Sequence, residues 1–511
     1  MKHTGREFKC SINQVIQLAL LIFTIFFLLR FIPNRIWQDN TVQLAATLGI
    51  IGTWRYGWWL THFIRAQIFG LFVYPRKKSL ADKVWESGWR PKNLIFMMTT
   101  YKEDKSVTVR VLDSIFRESR CVDVPAKVFV GSGDIYDEKI IEEYIKVHGG
   151  GVDIEFIVIR QNKPGKRFAI GLALRAMSRY GVGGDDPVVF MDGDSIMAPG
   201  CLQKCLPFFE LDKNLLALTT DEIVELSKGP SWIKSWLDLR FSQRHMAMQS
   251  HALSNKVLTL TGRMSVFRAE NVVNYSFIRT VESDHLNHWL WDDFRFLSGD
   301  DKSTWYWLLK KGGNMFYVPD ALVITVESIE GNGYERMVQN LLRWSGNVLR
   351  NGARALALGP RHVGLFTWWC ILDQRIAMWT TLIGPMTAII VAIFVSPVYI
   401  LAYLVWVLTS RTVLSLMIFV YAGRIHVLFP FFLFANQLIN SLVKVYIVFR
   451  LPKQRWMNRG NQKAPSASEG FILSFRNYMA SYLTFFWVSL MAFSLLIYLE
   501  IFKPLPLSQV F

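Results

Sequence analysis

The sequence predicts an integral membrane protein that carries an α/β domain between its transmembrane helices. Three observations predict it. The 511 residues are 51% hydrophobic and 14% aromatic, with only 19% charged side chains, and mean hydropathy reaches +0.23, high for a soluble chain. Apolar runs of span length sit near both ends. Between them, strand-length apolar runs alternate with polar, helix-compatible stretches. This composition excludes a disordered chain, a collagen-like repeat and a small disulfide scaffold. The length suffices for one soluble domain of roughly 250 residues plus a handful of spans.

The first apolar run, about 12–32, follows Lys2, Arg6 and Lys9. No small-residue cleavage site follows it, so it reads as an uncleaved span rather than a signal peptide. The second covers about 41–63, is interrupted by Arg55, and precedes Arg65 and Arg76-Lys77-Lys78, cations that belong inside. From about Lys92 to Trp344 no span-length run occurs, which makes this stretch the cytoplasmic domain. Beyond it come an amphipathic stretch at 363–376 and spans at about 378–395 and 398–422, the latter carrying Arg411. The segment 425–449 is apolar but holds Asn436, Asn440, Ser441 and Lys444. A basic loop follows, with Arg450, Lys453, Arg455, Arg459 and Lys463 against Glu469, and then a last run at about 482–501.

Counting every run as a span gives six and leaves the basic loop outside. Laying 425–449 flat on the inner surface as an amphipathic helix gives five, keeps the loop inside and puts the C-terminus outside. We adopt the five-span arrangement. Its segments are 1–75 with two spans, 76–345 as the cytoplasmic domain, 346–376 as interface helices, 377–422 with two spans, 423–478 with an interface helix and basic loop, and 479–511 with the last span.

The net charge of +17 fits cytoplasmic loops rich in Lys and Arg and equally a positive field for an anionic substrate or product. It is spread over loops beside spans, a poor match to a nucleic-acid surface. Cys10, Cys121, Cys201, Cys205 and Cys370 have no metal-site spacing and read as a reduced set. A transporter would account for the spans but not for the large insert, and the sequence offers no P-loop for an ATP-driven pump.

Within the insert, apolar runs of strand length fall at 93–99, 126–130, 154–159 and 188–191. They close on Thr99-Thr100-Tyr101, on Gly131-Ser132-Gly133-Asp134, on Arg160 and on Asp192-Gly193-Asp194. Strands alternating with helical stretches predict a parallel sheet with crossover helices, which binds ligands at the C-terminal strand ends. The acids and glycines collect at those ends.

Asp192 and Asp194, one small residue apart after a buried strand, can share a divalent cation and diphosphate oxygens, and Mg²⁺ or Mn²⁺ suits such hard oxygen ligands. A solvated acidic turn has the same letters. Lys166 and Arg167, in Asn-Lys-Pro-Gly-Lys-Arg after another strand end, can neutralise phosphate charge or form a basic surface turn. Asp300 and Asp301 precede Lys302 and follow an aromatic stretch with Trp289, Trp291 and Phe294. Two adjacent carboxylates raise one pKa while the lysine opposes that. One of them can take a proton from a sugar hydroxyl, and one can serve a helix N-terminus. Arg343-Trp344, after Asn340, lies at the junction with the membrane segments. There it anchors the interface or meets a diphosphate and a sugar face.

Taken in order, Thr-Thr-Tyr-Lys-Glu, Gly-Ser-Gly-Asp, Lys-Pro-Gly-Lys-Arg, Asp-Gly-Asp, Gly-Asp-Asp-Lys and Arg-Trp resemble the motifs of the processive family 2 glycosyltransferases, which include cellulose, chitin and hyaluronan synthases. The resemblance covers roughly 93–344. Within the family, the stretches FMMTTYKED, QNKPGKRFAIGLALRA, LTLTGRMSVFRA, FLSGDDKSTWY and QNLLRWSGNVLRNGARALALGPR are most similar to the alginate-polymerising branch, the mannuronan synthases.

The resemblance implies a GT-A-type domain inserted between transmembrane helices of a bacterial inner-membrane protein, with a cytoplasmic catalytic domain. It implies an inverting transfer from GDP-mannuronate to β-1,4-polymannuronate. Thr100, Tyr101, Glu103 and Asp134 then line the nucleotide pocket, and Lys166 and Arg167 approach the diphosphate. Asp192 and Asp194 hold Mg²⁺ or Mn²⁺ and the diphosphate. Asp301 is the general base, with Asp300 and Lys302 beside it, and Asn340, Arg343 and Trp344 end the Gln-x-x-Arg-Trp motif. Asn340 stands where the family has Gln, with Gln339 one place earlier, so either side chain can supply the amide. Lys302 stands where relatives often have Arg and is a candidate for the substrate carboxylate. Arg55 and Arg411 are candidates for contact with the growing anionic polysaccharide, or they snorkel or pair. The basic loop with Gln454-Arg455-Trp456 sits where cellulose synthases carry a gating loop. The resemblance also implies a membrane partner with a cyclic-di-GMP-binding domain and periplasmic export proteins. The motifs leave open a cellulose- or hyaluronan-like synthase that uses a UDP-sugar.

Overall fold

A computed structural model of the chain describes residues 11–32, 42–151, 153–423, 426–456, 462–463 and 470–503. Cys10, Arg459 and Glu469 lie outside them, as do the side chains of Arg455, Trp456 and Lys463. The chain divides into two compact units, one built mainly from Ile64–Ile371 with Pro452–Ala467, the other from Arg6–Phe63, Leu372–Leu451 and Ser468–Phe511.

The first unit centres on an eight-stranded sheet. Its strands are β1 (Leu94–Thr100), β2 (Ala126–Ser132), β3 (Ile154–Arg160), β4 (Pro187–Asp192), β5 (Ser195–Met197), β6 (Leu215–Lys228), β7 (Met264–Arg268) and a long strand (Asn314–Ser328), here β10, after a small hairpin of β8 (His285–His288) and β9 (Asp292–Arg295). The order is β3-β2-β1-β4-β7-β6-β10-β5. The four strands read from the sequence are mutually parallel, with β1 in register against β2 and β4. Beyond β4 the wholly parallel expectation fails. β7 runs antiparallel to β4 and β6, and β5 antiparallel to β10, so the sheet is mixed.

β1, β2 and β4 are covered on both faces, which is why each reads as an unbroken apolar run rather than an alternating one. Phe96, Val128, Phe129, Val189 and Met191 are fully buried between the helix layers. The crossover helices start on side-chain caps at the strand ends. Asp104 accepts from Ser106 N at 2.8 Å to open the helix Lys105–Val122, and Asp134 accepts from Tyr136 N at 2.9 Å to open Ile135–His148. The chain therefore leaves each strand at the edge where a ligand would sit.

Five helices among the described residues are long and apolar enough to cross a membrane: Ile12–Leu29, Leu365–Phe394, Val398–Ala422, Phe429–Val448 and Phe471–Tyr498. The total equals the expected five but the membership differs. The second apolar run does form a helix, Val42–Ile68, yet its Arg55, Gln67 and cluster of aromatics keep it out of this group. Phe429–Val448 enters it, so apolarity alone does not mark that helix as lying flat. The stretch 346–376 is not a set of separate interface helices. It divides between the end of helix Gly333–Ala357, a turn at Pro360–Val363 and a helix that runs through Pro385 from Leu365 to Phe394.

Within the second unit, Leu21, Ile25 and Ile32 pack with Val405. Arg55 pairs with Asp373 at 2.9 Å, and Trp54 Nε1 donates to the same carboxylate at 3.1 Å. Arg411 donates to the Tyr56 hydroxyl at 2.8 Å and to Gln437 at 2.7 Å. Of the two outcomes open to these arginines, the structure displays pairing with protein groups.

Candidate active site

The site forms where β1, β2 and β4 end. Gly193 N donates to Thr99 O at 2.9 Å, and a Cβ on Gly193 would stand 2.9 Å from that oxygen. Only glycine lets the Asp-Gly-Asp turn close onto β1, with Asp192 and Asp194 on either side. Thr100 Oγ1 donates to Asp137 at 3.0 Å, and the same carboxylate accepts from Lys102 N at 2.7 Å and Glu103 N at 3.2 Å. Burial pushes the Asp137 carboxyl up while those three donors pull it down, and burial prevails. Asp137 thus ties down the loop that carries Tyr101 and Glu103. Across it, a Cβ on Gly133 would lie 2.7 Å from the Tyr101 ring and from Gln161 Nε2, so Asp134 follows a position closed to side chains.

Lys166 opens the helix Lys166–Arg179. Its ammonium lies 2.6 Å from Asp192 Oδ1 and 3.2 Å from Asp300 Oδ2. Burial disfavours that charge, but Asp192 and Asp300 outweigh it and hold the ammonium well above its ordinary value. Asp192 is pushed up to about 6 by burial and by Asp194 and Asp300, against the pull of Lys166. Asp194 is also pushed up to about 6, by burial with Glu103 and Glu327 nearby and Arg263 opposing. Gly262 lines this cluster. A Cβ there would stand 3.1 Å from Lys166 Nζ, 3.5 Å from Asp192 and 3.6 Å from Asp300.

Asp300 and Asp301 open the helix Asp300–Lys311 after Gly299, whose φ is 84°. A Cβ on Gly299 would also meet Asn347 at 2.6 Å. The adjacent acids separate electrostatically. Burial raises Asp300, but Lys166 and Arg167 overcome it and leave this carboxyl below its usual range. Burial and the Asp300 charge push Asp301 up, the condition of a proton acceptor, and Asp301 Oδ2 accepts from Thr259 Oγ1 at 3.3 Å. Lys302 donates to Leu258 O and covers the Trp305 ring at 4.9 Å. Burial brings its ammonium down to about 8 despite Asp301, with Arg244 adding to the fall.

Two expected site residues have packing or hydrogen-bond partners of their own. Arg167 is buried and donates to Val281 O at 2.7 Å and to Ser298 O and Ser303 Oγ at 3.0 Å. It therefore braces the loop and helix that carry Asp300 and Asp301 rather than facing a phosphate. Trp344 stacks on Trp236 with centroids 6.1 Å apart and planes 16° apart, and Arg240 stands 5.0 Å from its ring. Of the two candidate amides, Asn340 is buried and accepts from Arg343 at 3.4 Å, whereas Gln339 is half-buried and donates to Glu335 at 2.9 Å. Arg343 sits in the fields of Glu327 and Asp301, and burial lowers its guanidinium.

Sequence reading missed Asp137, Gly262, the Arg263 fork to Glu222 (3.0 Å) and Glu327 (2.8 Å), and Asp284, which binds Arg354 at 2.9 Å and Ser303 at 2.5 Å. Thr261-Gly262-Arg263 was in view within a family-like stretch and is the one signal that pointed to any of them. Gln454 accepts from Leu297 N at 2.9 Å and donates to Arg295 O at 3.0 Å.

A sheet of this topology, with Asp-x-Asp at one strand end and a lysine joining it to a second acid pair, defines a GT-A-type glycosyltransferase. The chain belongs to glycosyltransferase family 2, since the model of the glycosyltransferase-like family 2 matches residues 91–347 and full-length relatives agree. It is 37% identical to glycosyltransferase alg8 of Pseudomonas syringae pv. tomato, over 83% of this chain and 86% of that protein. It is 34% identical to glycosyltransferase alg8 of Azotobacter vinelandii, over 89% and 92% respectively. Among solved structures, a Pyrobaculum calidifontis mannosyltransferase in complex with GDP-Man and Mn²⁺ aligns at a TM-score of 0.44 and 14% identity, covering 79% of this chain and 98% of that one.

Proposed function

We propose that the protein polymerises mannuronic acid from GDP-mannuronate into β-1,4-polymannuronate, the alginate precursor, and passes the chain across the bacterial inner membrane. The observation that carries this reading is the Lys166 bridge between Asp192 and Asp300. On this reading a diphosphate-neutralising cation and a sugar-activating acid pair share one cluster, in a chain that is similar over most of its length to two alg8 glycosyltransferases.

Asp192 and Asp194 suit Mg²⁺ or Mn²⁺. They are hard oxygen donors whose charges burial and neighbouring acids disfavour, a frustration that a divalent cation relieves. The cation, when bound, screens the diphosphate and stabilises it as a leaving group. Asp301 takes the proton of the acceptor 4-hydroxyl. The oxygen then bonds to the anomeric carbon from the face opposite the departing GDP, converting an α-linked donor into a β-linked product. Asp192 and Asp194 would hold the cation, and Lys166 with Arg343 would meet the diphosphate. Asp137 and its loop hold Tyr101 and Glu103 at the nucleotide end.

We also propose a cyclic-di-GMP-binding membrane partner and periplasmic export proteins, as the family resemblance implies. A UDP-sugar synthase of the cellulose or hyaluronan kind has the same machinery, and donor choice separates the two. In isolated membranes, GDP release with GDP-mannuronate, dependent on Mg²⁺ or Mn²⁺, is expected. Nucleotide release with a UDP-sugar instead would transfer the protein to the other group.

A further inference from the structure

Between the helix Ser231–Ala252 and β7 an irregular stretch, 257–262, lies along the helix that carries the acid pair. Three consecutive residues of it bond to the first two turns of that helix. Trp305 Nε1 donates to Val257 O at 2.7 Å, Lys302 Nζ donates to Leu258 O, and Thr259 Oγ1 donates to Asp301 Oδ2 at 3.3 Å. Val257 and Leu260 are fully buried and hold the stretch down, while Thr259 and Asp301 stay half-buried. Gly262 then stands against Lys166, Asp192 and Asp300. The stretch thus follows the site from Asp301 to the Lys166 cluster.

A carboxylate turns easily about its last side-chain bond, so one that must meet a hydroxyl in a fixed direction needs a neighbour to hold it. The charged groups around Asp301 are Asp300 and Lys302 on its own helix, Lys166 and Arg167 on Lys166–Arg179, and Arg343 on Gly333–Ala357. Lys302 is turned to the Leu258 carbonyl, and Lys166 bridges Asp192 and Asp300. Among the described residues, Thr259 is the side chain that donates to the Asp301 carboxylate. We propose that Thr259 is a positioning residue, whose hydroxyl fixes the Asp301 carboxylate through Oδ2 and leaves Oδ1 to take the proton of the acceptor hydroxyl. This rests on the reading of Asp301 as the general base. A bond donated to the ionised form also favours that form, against burial and the Asp300 charge.

The test follows GDP release from GDP-mannuronate in isolated membranes at saturating Mg²⁺, for full-length wild type, Thr259→Val, Thr259→Ser, Asp301→Asn and the Val–Asn double variant. Valine removes the hydroxyl at nearly the same volume. The expected kcat of Thr259→Val is about tenfold lower at unchanged donor KM, with the acidic limb of its pH profile displaced upward by about one pH unit. Thr259→Ser should recover most of both, and Thr259→Val should take nothing further from Asp301→Asn. An unchanged kcat in Thr259→Val, a Ser variant as slow as Val, or a full further loss in the double variant would overturn the proposal and leave Thr259 a packing residue. If Thr259→Val shows no folded thermal transition, Thr259→Ala is judged by the same criteria, and loss of the transition in both would also assign Thr259 a packing role. Asp301→Asn as active as wild type would instead overturn the underlying reading.

Discussion

Asp301 and Asp300 are sequence neighbours with opposite fates. Lys166 and Arg167 keep Asp300 charged, while Asp301, half-buried next to that fixed charge, is drawn toward proton uptake. Replacing Asp301 by Asn should therefore lower kcat by about 10²–10⁴-fold, the usual yield of general-base catalysis, with a much smaller effect on donor KM. Steady-state GDP release reads both constants. Asp194 offers a second check. Its carboxyl, held at about 6 against roughly 4 in an unfolded chain, binds protons more readily in the folded state. Its contribution to stability is thus fully present below about pH 4 and lost as pH rises through about 6. In chelator at pH 7.5, Asp194→Asn should melt higher than wild type, on the order of 1 kcal/mol, and the difference should shrink by pH 4.5. Protons also compete with the cation, so the half-saturating Mg²⁺ or Mn²⁺ concentration should rise as pH falls through about 6. The paired aspartates were legible because their signal is local, a strand followed by Asp-x-Asp. Asp137 was not, because its three donors stand more than thirty positions earlier in the chain.

At the scale of the element, the helix Asp300–Lys311 depends on its surroundings. Gly299 adopts a left-handed backbone and abuts Asn347. Arg167, Ser303, Asp284 and Arg354 form one buried chain of bonds beneath the helix. Gly299→Ala combines backbone strain with a collision and should cost at least about 1 kcal/mol. Asp284→Ala strands Arg354 and should cost roughly 3–5 kcal/mol. Thermal melting in detergent measures both, and donor turnover should fall with the melting temperature. The inner strands were readable as apolar runs because both their faces are covered. β7 and β10 were not read, and so the mixed part of the sheet was missed. Arg167 looked like a phosphate ligand because spacing reveals a cation but not the carbonyls of Val281 and Ser298, which lie more than a hundred positions away.

For the whole molecule, we propose a five-span membrane path. Residues to Ile371 belong to the catalytic unit, and so does Pro452–Ala467. Gln454 is bonded there to Leu297 and Arg295. If Leu365–Phe394 crosses outward and Val398–Ala422 returns, parity leaves Phe429–Val448 no crossing, in accord with the basic loop that follows. A single cysteine at Lys453, in a chain freed of its other cysteines, should be labelled by an impermeant reagent in inverted vesicles and protected in intact cells. The opposite pattern would restore the six-span path. Hydropathy alone did not decide this, because Phe429–Val448 is apolar enough to span.

The measurement that bears most directly on the central claim is the linkage of the polymer made in membranes from GDP-mannuronate, read by NMR for wild type and Asp301→Asn. The account predicts β-1,4-linked mannuronate from wild type and almost none from the variant. An α-linked product, or polymer formed as readily without the Asp301 carboxylate, would contradict it.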